Sequence, residues 1–171
     1  MSRFTVDADV TEVTMLTKFV NPVKELYFII QNQENVSADI YTGNDWFNFR
    51  NSDITYFPEF EQLESLELTF NGETRLSEKV ADALYLRYVH PIHFHTRVST
   101  KTIYNYGFSL DPENHIPSGQ INMSRIQNKL LKLNMTPNTS SRDVRVYALS
   151  YNILRINSGL GGVLFIDNNF I

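Results

Sequence analysis

The sequence predicts an antiparallel β-sandwich of seven or eight short strands with one helix inserted in a connection. Three observations carry this. Apolar and polar residues alternate over short stretches, Asn-Pro, Asn-Gly and Asp-Pro pairs end those stretches, and the one stretch with helical spacing does not recur between strands as a βαβ sheet requires. The chain has 171 residues, 42% hydrophobic and 13% aromatic, which fits one domain over residues 1–171 with a single core.

The start, Met1-Ser-Arg-Phe-Thr-Val-Asp, alternates polar with apolar residues and lacks the basic and apolar regions of a signal peptide. Residues 10–20 are rich in β-branched side chains and stop at Asn21-Pro22, which removes a backbone donor and turns the chain. Val23 to Ile30 begins with alternation and closes with four apolar residues, as in a strand that passes from a rim into a doubly buried centre. Residues 31–61 lose periodicity and gather aromatics, with Trp46, Phe47 and Phe49 followed by Tyr56, Phe57 and Phe60; so long and aromatic a connection is expected to pack onto something.

Leu66, Leu68 and Phe70 alternate with Glu67 and Thr69 before Asn71-Gly72, a strand that ends in a hairpin signal. A helix of about three turns is expected next, capped by Ser77, with Val80, Ala83, Leu84 and Tyr88 on one face and Pro91 as its stop. Tyr104, Tyr106, Phe108 and Leu110 then mark a strand closed by Asp111-Pro112. Within residues 120–135, Ile121 and Met123, then Leu131, Leu133 and Met135, show period two and predict two strands. Asp143 to Ile156 and Val163 to Ile166 are expected to close the sandwich, joined through the glycine-rich turn Ser158-Gly-Leu-Gly-Gly162.

Composition narrows the function classes. With 15 Lys+Arg against 19 Asp+Glu the formal charge is −4, so the chain has no overall basic field for a phosphate backbone and no nucleic-acid partner is expected. The absence of cysteine excludes disulfides, thiolate metal sites and thiol nucleophiles. No apolar run is long enough for a membrane helix, and no direct membrane insertion is expected. The Asn-x-Ser/Thr triplets at Asn35, Asn122, Asn134 and Asn138 are frequent enough by chance in so Asn-rich a chain to carry no weight.

The sharpest chemical constellation is His90, His93 and His95. Two imidazoles two apart on a strand share a face and suit a metal, as in the H-x-H of cupins. Here Ser99 and Thr100 stand where the pattern needs an acid and Arg87 where it needs a glycine, so the segment reads as a structural connection with no metal. Pro117-Ser118-Gly119 reads as a turn and not as a nucleophile elbow. Gly159-Leu-Gly161-Gly162 lacks the Lys-Ser/Thr of a phosphate loop. The pairs Glu59/Glu61 and Glu64/Glu67 are expected on a solvated face. The aromatic segment from Trp46 to Phe60 suits either a sugar-binding platform or an interface.

Several stretches, in the same order over most of the chain, match one known family. They are Asn21-Pro-Val-Lys-Glu-Leu26, Phe70-Asn-Gly72, Ile103-Tyr-Asn-Tyr-Gly-Phe-Ser-Leu-Asp-Pro-Glu113, Pro117-Ser-Gly-Gln-Ile-Asn-Met-Ser-Arg125 and Tyr151-Asn-Ile-Leu-Arg-Ile-Asn-Ser-Gly-Leu-Gly-Gly162. In these the chain resembles the carboxy-terminal jelly-roll domain of the major capsid protein of nucleocytoplasmic large DNA viruses. The resemblance implies an all-β, eight-stranded antiparallel jelly-roll sandwich with a structural role and no catalytic residue, cofactor or metal. It also implies self-association: two jelly rolls per polypeptide, a homotrimeric pseudo-hexagonal capsomer, contacts with neighbouring capsomers and minor capsid proteins, and an icosahedral virion capsid assembled in the host cytoplasm. A chain of 171 residues holds only one jelly roll, as a fragment, a split half or a paralogue. The alternative from another class is a jelly-roll carbohydrate- or receptor-binding module that uses the Trp46 loop.

Overall fold

The computed structural model describes residues 1–36, 45–51 and 60–165. The chain forms two facing antiparallel sheets. In the first, β1 (Ser2–Val6), β9 (Arg142–Ser150), β3 (Pro22–Asn32) and β6 (Tyr104–Gly107) lie in that order, and the short β7 (Ile121–Asn122) also pairs with β3. In the second the order is β2 (Glu12–Leu16), β8 (Lys129–Met135), β4 (Leu63–Phe70) and β5 (Glu73–Leu76). A separate ribbon pairs β10 (Leu154–Asn157) with β11 (Leu160–Val163). The expected all-β sandwich is present, but with eleven strands among the described residues instead of eight, nine of them in the two main sheets.

Alternation places the core between the sheets. Val6, Leu26, Phe28, Ile30, Tyr104, Val144 and Val146 from the first sheet meet Met15, Leu63, Leu66, Leu68, Leu131, Leu133 and Met135 from the second. In β8 the period of two is complete, with Lys129, Leu131, Leu133 and Met135 buried and the residues between them half-buried. β3 breaks parity at a register shift between Val23 and Glu25, a bulge that lets Val23 and the even-numbered Leu26, Phe28 and Ile30 all enter the core. The expected double burial of the apolar end of β3 is incomplete, since Phe28 and Ile30 are buried but Tyr27 and Ile29 only half-buried, and it is the polar Gln31 and Asn32 that are buried in succession.

Three elements depart from the sequence expectations. β1 pairs with β9 over its whole length, so the alternation at the amino terminus is a strand that the sequence analysis did not assign. The helix does not begin at Ser77: residues 77–81 make one turn, Ala81 O accepts from Leu66 N, and Asp82 pairs with Ser65 across the edge of β4. Asp82 is the working cap, its Oδ1 accepting from Tyr85 N at 2.7 Å. Nor does Pro91 stop the helix. A π-turn over Tyr85–Val89, closed by His90 N–H to Tyr85 O, resets the ladder so that Pro91 falls in the first turn of α1 (His90–Phe94), where its missing donor is not needed.

The strand expected to reach Leu110 ends at Gly107, and Leu110 is exposed. Asn71-Gly72 forms the predicted two-residue hairpin, both residues at positive φ, and Asn71 Oδ1 also accepts from Gln127 N and Asn128 N to tie the approach to β8 onto it. The Pro117-Ser118-Gly119 turn has a similar structural part. Ser118 Oγ accepts from Asp111 N at 2.8 Å and donates to Asp111 O, and a Cβ at Gly119 would stand 2.7 Å from Phe108 O and 3.0 Å from Ser109 Cα. Both obstacles are backbone. Gly119→Ala is therefore expected to destabilise the domain by about 1–3 kcal/mol, read as a lower urea midpoint; an unchanged midpoint would show that the Phe108–Ser109 backbone yields.

Candidate functional site

The three clustered histidines are separated by the fold. His90 is buried and packs at 5.5 Å, ring centre to ring centre, on Tyr106. Gly107 N–H donates to its Nε2 at 3.1 Å, so Nε2 is unprotonated and Nδ1 carries the proton that goes to Asn105 Oδ1 at 3.1 Å. Burial pushes the His90 pKa below the ordinary imidazole value; the Asn105 hydrogen bond opposes this, and the charges of His95 and His93 add to it. His93 is exposed on α1. His95 follows α1 in an extended conformation, with Nε2 2.5 Å from Glu25 Oε1 and Nδ1 3.3 Å from Glu113 Oε1. The strand placement that would aim His93 and His95 at one metal is thus replaced by a helix end. His90 and His95 join helix, sheet and loop, and among the described residues no group of three His, Asp or Glu is arranged to hold a metal.

The main correction concerns Glu61. It lies not on a solvated face but 1% exposed, in contact with Arg87, itself 4% exposed. Its other oxygen accepts from Tyr104 OH at 2.6 Å, and that hydroxyl accepts in turn from Gln62 N and Leu63 N. Burial, the Glu61 charge and this hydrogen bond hold the Tyr104 phenol well above its usual pKa, so it stays a donor. Arg87 also lies over the rings of Phe60 and Tyr88 at 4.8 and 4.9 Å. Gln62, fully buried, donates to Asn32 Oδ1 at 2.8 Å and Arg50 O at 2.9 Å, while buried Arg142 donates to Thr136 O and Val10 O. The acids that do face outward are those on β4: Glu64 is exposed, and Glu67 accepts from Thr69 and Thr74. Glu59 lies outside the described residues.

This network locks the return of the aromatic connection onto the sandwich and leaves its front open. Phe49 and Phe60 are buried, whereas Trp46 and Phe47 are 51% and 72% exposed. Gln31 holds the Trp46 carbonyl at 2.7 Å, which fixes the backbone while the indole faces water. Tyr56 and Phe57 lie outside the described residues. A second apolar exposure joins Leu110 and Ile116 on the loop before β7. The third is the β10–β11 ribbon, every strand residue of which is exposed. It does not close the sandwich as the sequence suggested, and its turn is Ser158-Gly159, both at positive φ, with Gly161 and Gly162 inside β11. Glu61, His90 and His95 are thus held by partners within the chain, while the apolar side chains of the Trp46 segment, the Leu110–Ile116 loop and the ribbon face water.

Comparison with known proteins points the same way. The family described as large eukaryotic DNA virus major capsid protein matches residues 1–162. The major capsid protein of Phaeocystis pouchetii virus is 43% identical over 58% of this chain and 19% of its own length. That of Pyramimonas orientalis virus is 30% identical over 95% of this chain and 41% of its own. In shape, the chain matches the PBCV-1 virus capsid with a TM-score of 0.73 at 23% identity, over 97% of this chain and 50% of that one. The fold is therefore the jelly roll of viral capsid proteins, and the chain spans less than half the length of these curated relatives.

Two measurements probe the internal contacts. Arg87→Met leaves a buried carboxylate without its cation and is expected to cost about 3–5 kcal/mol, most of it recovered in the Arg87→Met/Glu61→Leu double variant; additive losses in urea denaturation would contradict the coupling. For His90 the folded pKa lies below the unfolded value of about 6.5, so the unfolded state binds the proton first and stability falls as pH drops through that range. His90→Gln, which cannot titrate, is expected to lose less stability between pH 7.5 and 5.5 than the parent. Equal losses would overturn the assignment.

Proposed function

As the chain belongs to the major capsid protein family of large eukaryotic DNA viruses, we propose that it is a structural building block of a viral capsid. The observation that carries this is the family match over residues 1–162, joined to a sandwich whose ribbon and loops expose apolar side chains. The work asked of such a chain is protein–protein contact, without a substrate, cofactor or metal.

The chain covers 50% of the PBCV-1 capsid chain, which leaves room for a second domain of this size; in this reading residues 1–171 act as one jelly-roll domain, the carboxy-terminal one by resemblance. In that setting three polypeptides form a homotrimeric capsomer, and its flanks meet neighbouring capsomers and minor capsid proteins. Assembly takes place in the host cytoplasm, where a chain without cysteine loses nothing to reduction. Nucleic acid and the lipid bilayer are not direct partners, in keeping with a net charge of −4. Carbohydrate or receptor binding through the exposed Trp46 is a second reading; a glycan array with the parent and Trp46→Ala separates it from the first.

The test is to purify particles from the native source and measure the intact mass and abundance of the polypeptide that carries this sequence. The expected result is one of the most abundant virion polypeptides, with a mass at least about twice 19.8 kDa because a second sandwich-sized domain accompanies this one. Absence from the particles would overturn the capsid reading. A mass of 19.8 kDa would leave the chain as a single jelly roll and remove the double-domain capsomer.

A further inference from the structure

His95 stands between two carboxylates from different parts of the fold. Its Nε2 is 2.5 Å from Glu25 Oε1 on β3, and its Nδ1 is 3.3 Å from Glu113 Oε1 on the loop between β6 and β7. The side chains are 10%, 0% and 40% exposed in the order His95, Glu25, Glu113. Each carboxylate also accepts from another donor: Glu25 from Tyr27 OH at 2.7 Å, Glu113 from Thr96 N at 3.1 Å and Thr96 Oγ1 at 3.3 Å. The Thr96 N–H and then its hydroxyl hold the Glu113 carboxyl below its ordinary pKa, and His95 adds to this.

An ionised carboxylate only accepts hydrogen bonds, and a neutral imidazole has a single donor nitrogen. Both contacts are therefore satisfied only by the imidazolium, which donates from both nitrogens. Loss of one proton sets a ring lone pair against a carboxylate, and burial decides which contact fails. Glu25 is cut off from water and would be left a buried charge with Tyr27 as its one other side-chain donor, whereas Glu113 can be hydrated. The remaining proton stays on Nε2, and Glu113 faces the bare Nδ1. Other charged groups nearby do not take over this bridge. Arg87 lines the same cleft but is engaged with Glu61, Arg97 lines it and is exposed, and burial lowers the pKa of His90 on α1. Burial also raises the Tyr27 pKa, so its hydroxyl remains a donor.

We propose that His95 is a pH-sensitive latch: as the imidazolium it fastens the loop around Glu113 to β3 through Glu25, and on losing its Nδ1 proton it loosens that loop. The loop presents Leu110 and Ile116 to water, 77% and 70% exposed, so the protonation of one histidine sets whether this apolar pair is held in place. The sign is opposite to that of His90: order in the loop is present at low pH and lost as pH rises, whereas protonation of His90 costs the fold stability at low pH. The latch is a property of the chain itself and goes beyond the capsid reading without depending on it.

The test is nitrogen-15 NMR of the full chain over about pH 5.5–8.5, a range on both sides of an ordinary imidazole. Ring nitrogen shifts report the His95 protonation state, and backbone order parameters report the loop. Expected are two protonated ring nitrogens at the acid end and loss of the proton from Nδ1 as pH rises. With the same midpoint, order parameters over residues 110–116 fall from about 0.85 towards about 0.6, while those of β3 and β9 stay constant. In Glu113→Gln, whose amide can turn either its oxygen or its nitrogen to Nδ1, the loop is expected to keep one order across the range. A ring that does not titrate, that holds one proton throughout or that loses the Nε2 proton would overturn the latch. So would a loop whose order ignores the titration, an equal loss of order in Glu113→Gln, or a loss shared by β3 and β9, which would be general unfolding.

Discussion

The contact of Glu61 with Arg87 and Tyr104 is the constraint on which the rest of this structure depends. One carboxylate joins the end of the long connection, the π-turn before α1 and the edge strand β6, three elements with no sequence proximity. An ion pair this deep gains little net free energy over an apolar substitute of the same shape. Its value is specificity of place. With Arg87 drawn to Glu61, the helical segment packs against β6 and covers that edge of the first sheet, which would otherwise offer unpaired backbone groups to another chain.

From that clamp follows the division between inside and outside. Gln62 and Arg142 gather the carbonyls of Arg50, Thr136 and Val10 beside the clamp, so three segments that meet there have these backbone acceptors paired. His90 ties α1 to β6 through Gly107 N–H and the Asn105 side chain, and His95 ties the end of α1 to Glu25 of β3. Facing water instead are the apolar side chains of Trp46, Phe47, Leu110, Ile116 and the ribbon's Leu154, Ile156, Leu160 and Val163. For a protein that works by packing against others, rigid interior polarity and a bare apolar exterior are complementary requirements.

The sequence made the alternating elements legible because burial on one face leaves a period of two: β4, β8 and the apolar end of β3 could be read directly, as could the Asn71-Gly72 hairpin. It misplaced what long-range contacts decide. Ser77 has the chemistry of a cap, but pairing of Asp82 with the β4 edge removes residues 77–81 from the helix and passes the cap to Asp82. Pro91 stops an ordinary α-helix, yet a π-turn immediately before it makes room. Glu61 resembles its solvated neighbours on β4 and is distinguished only by an arginine 26 positions away. The closing glycines were legible as a hairpin, but their exposure was not, since a local pattern does not tell which strands join the sandwich.

The most direct measurement of the central claim is an electron cryomicroscopy map of the native particle's shell at a resolution that separates strands. The account predicts that a sandwich with the strand orders β1-β9-β3-β6 and β2-β8-β4-β5 fits repeatedly into the capsomer density. A shell whose repeating unit has no place for this sandwich would contradict it.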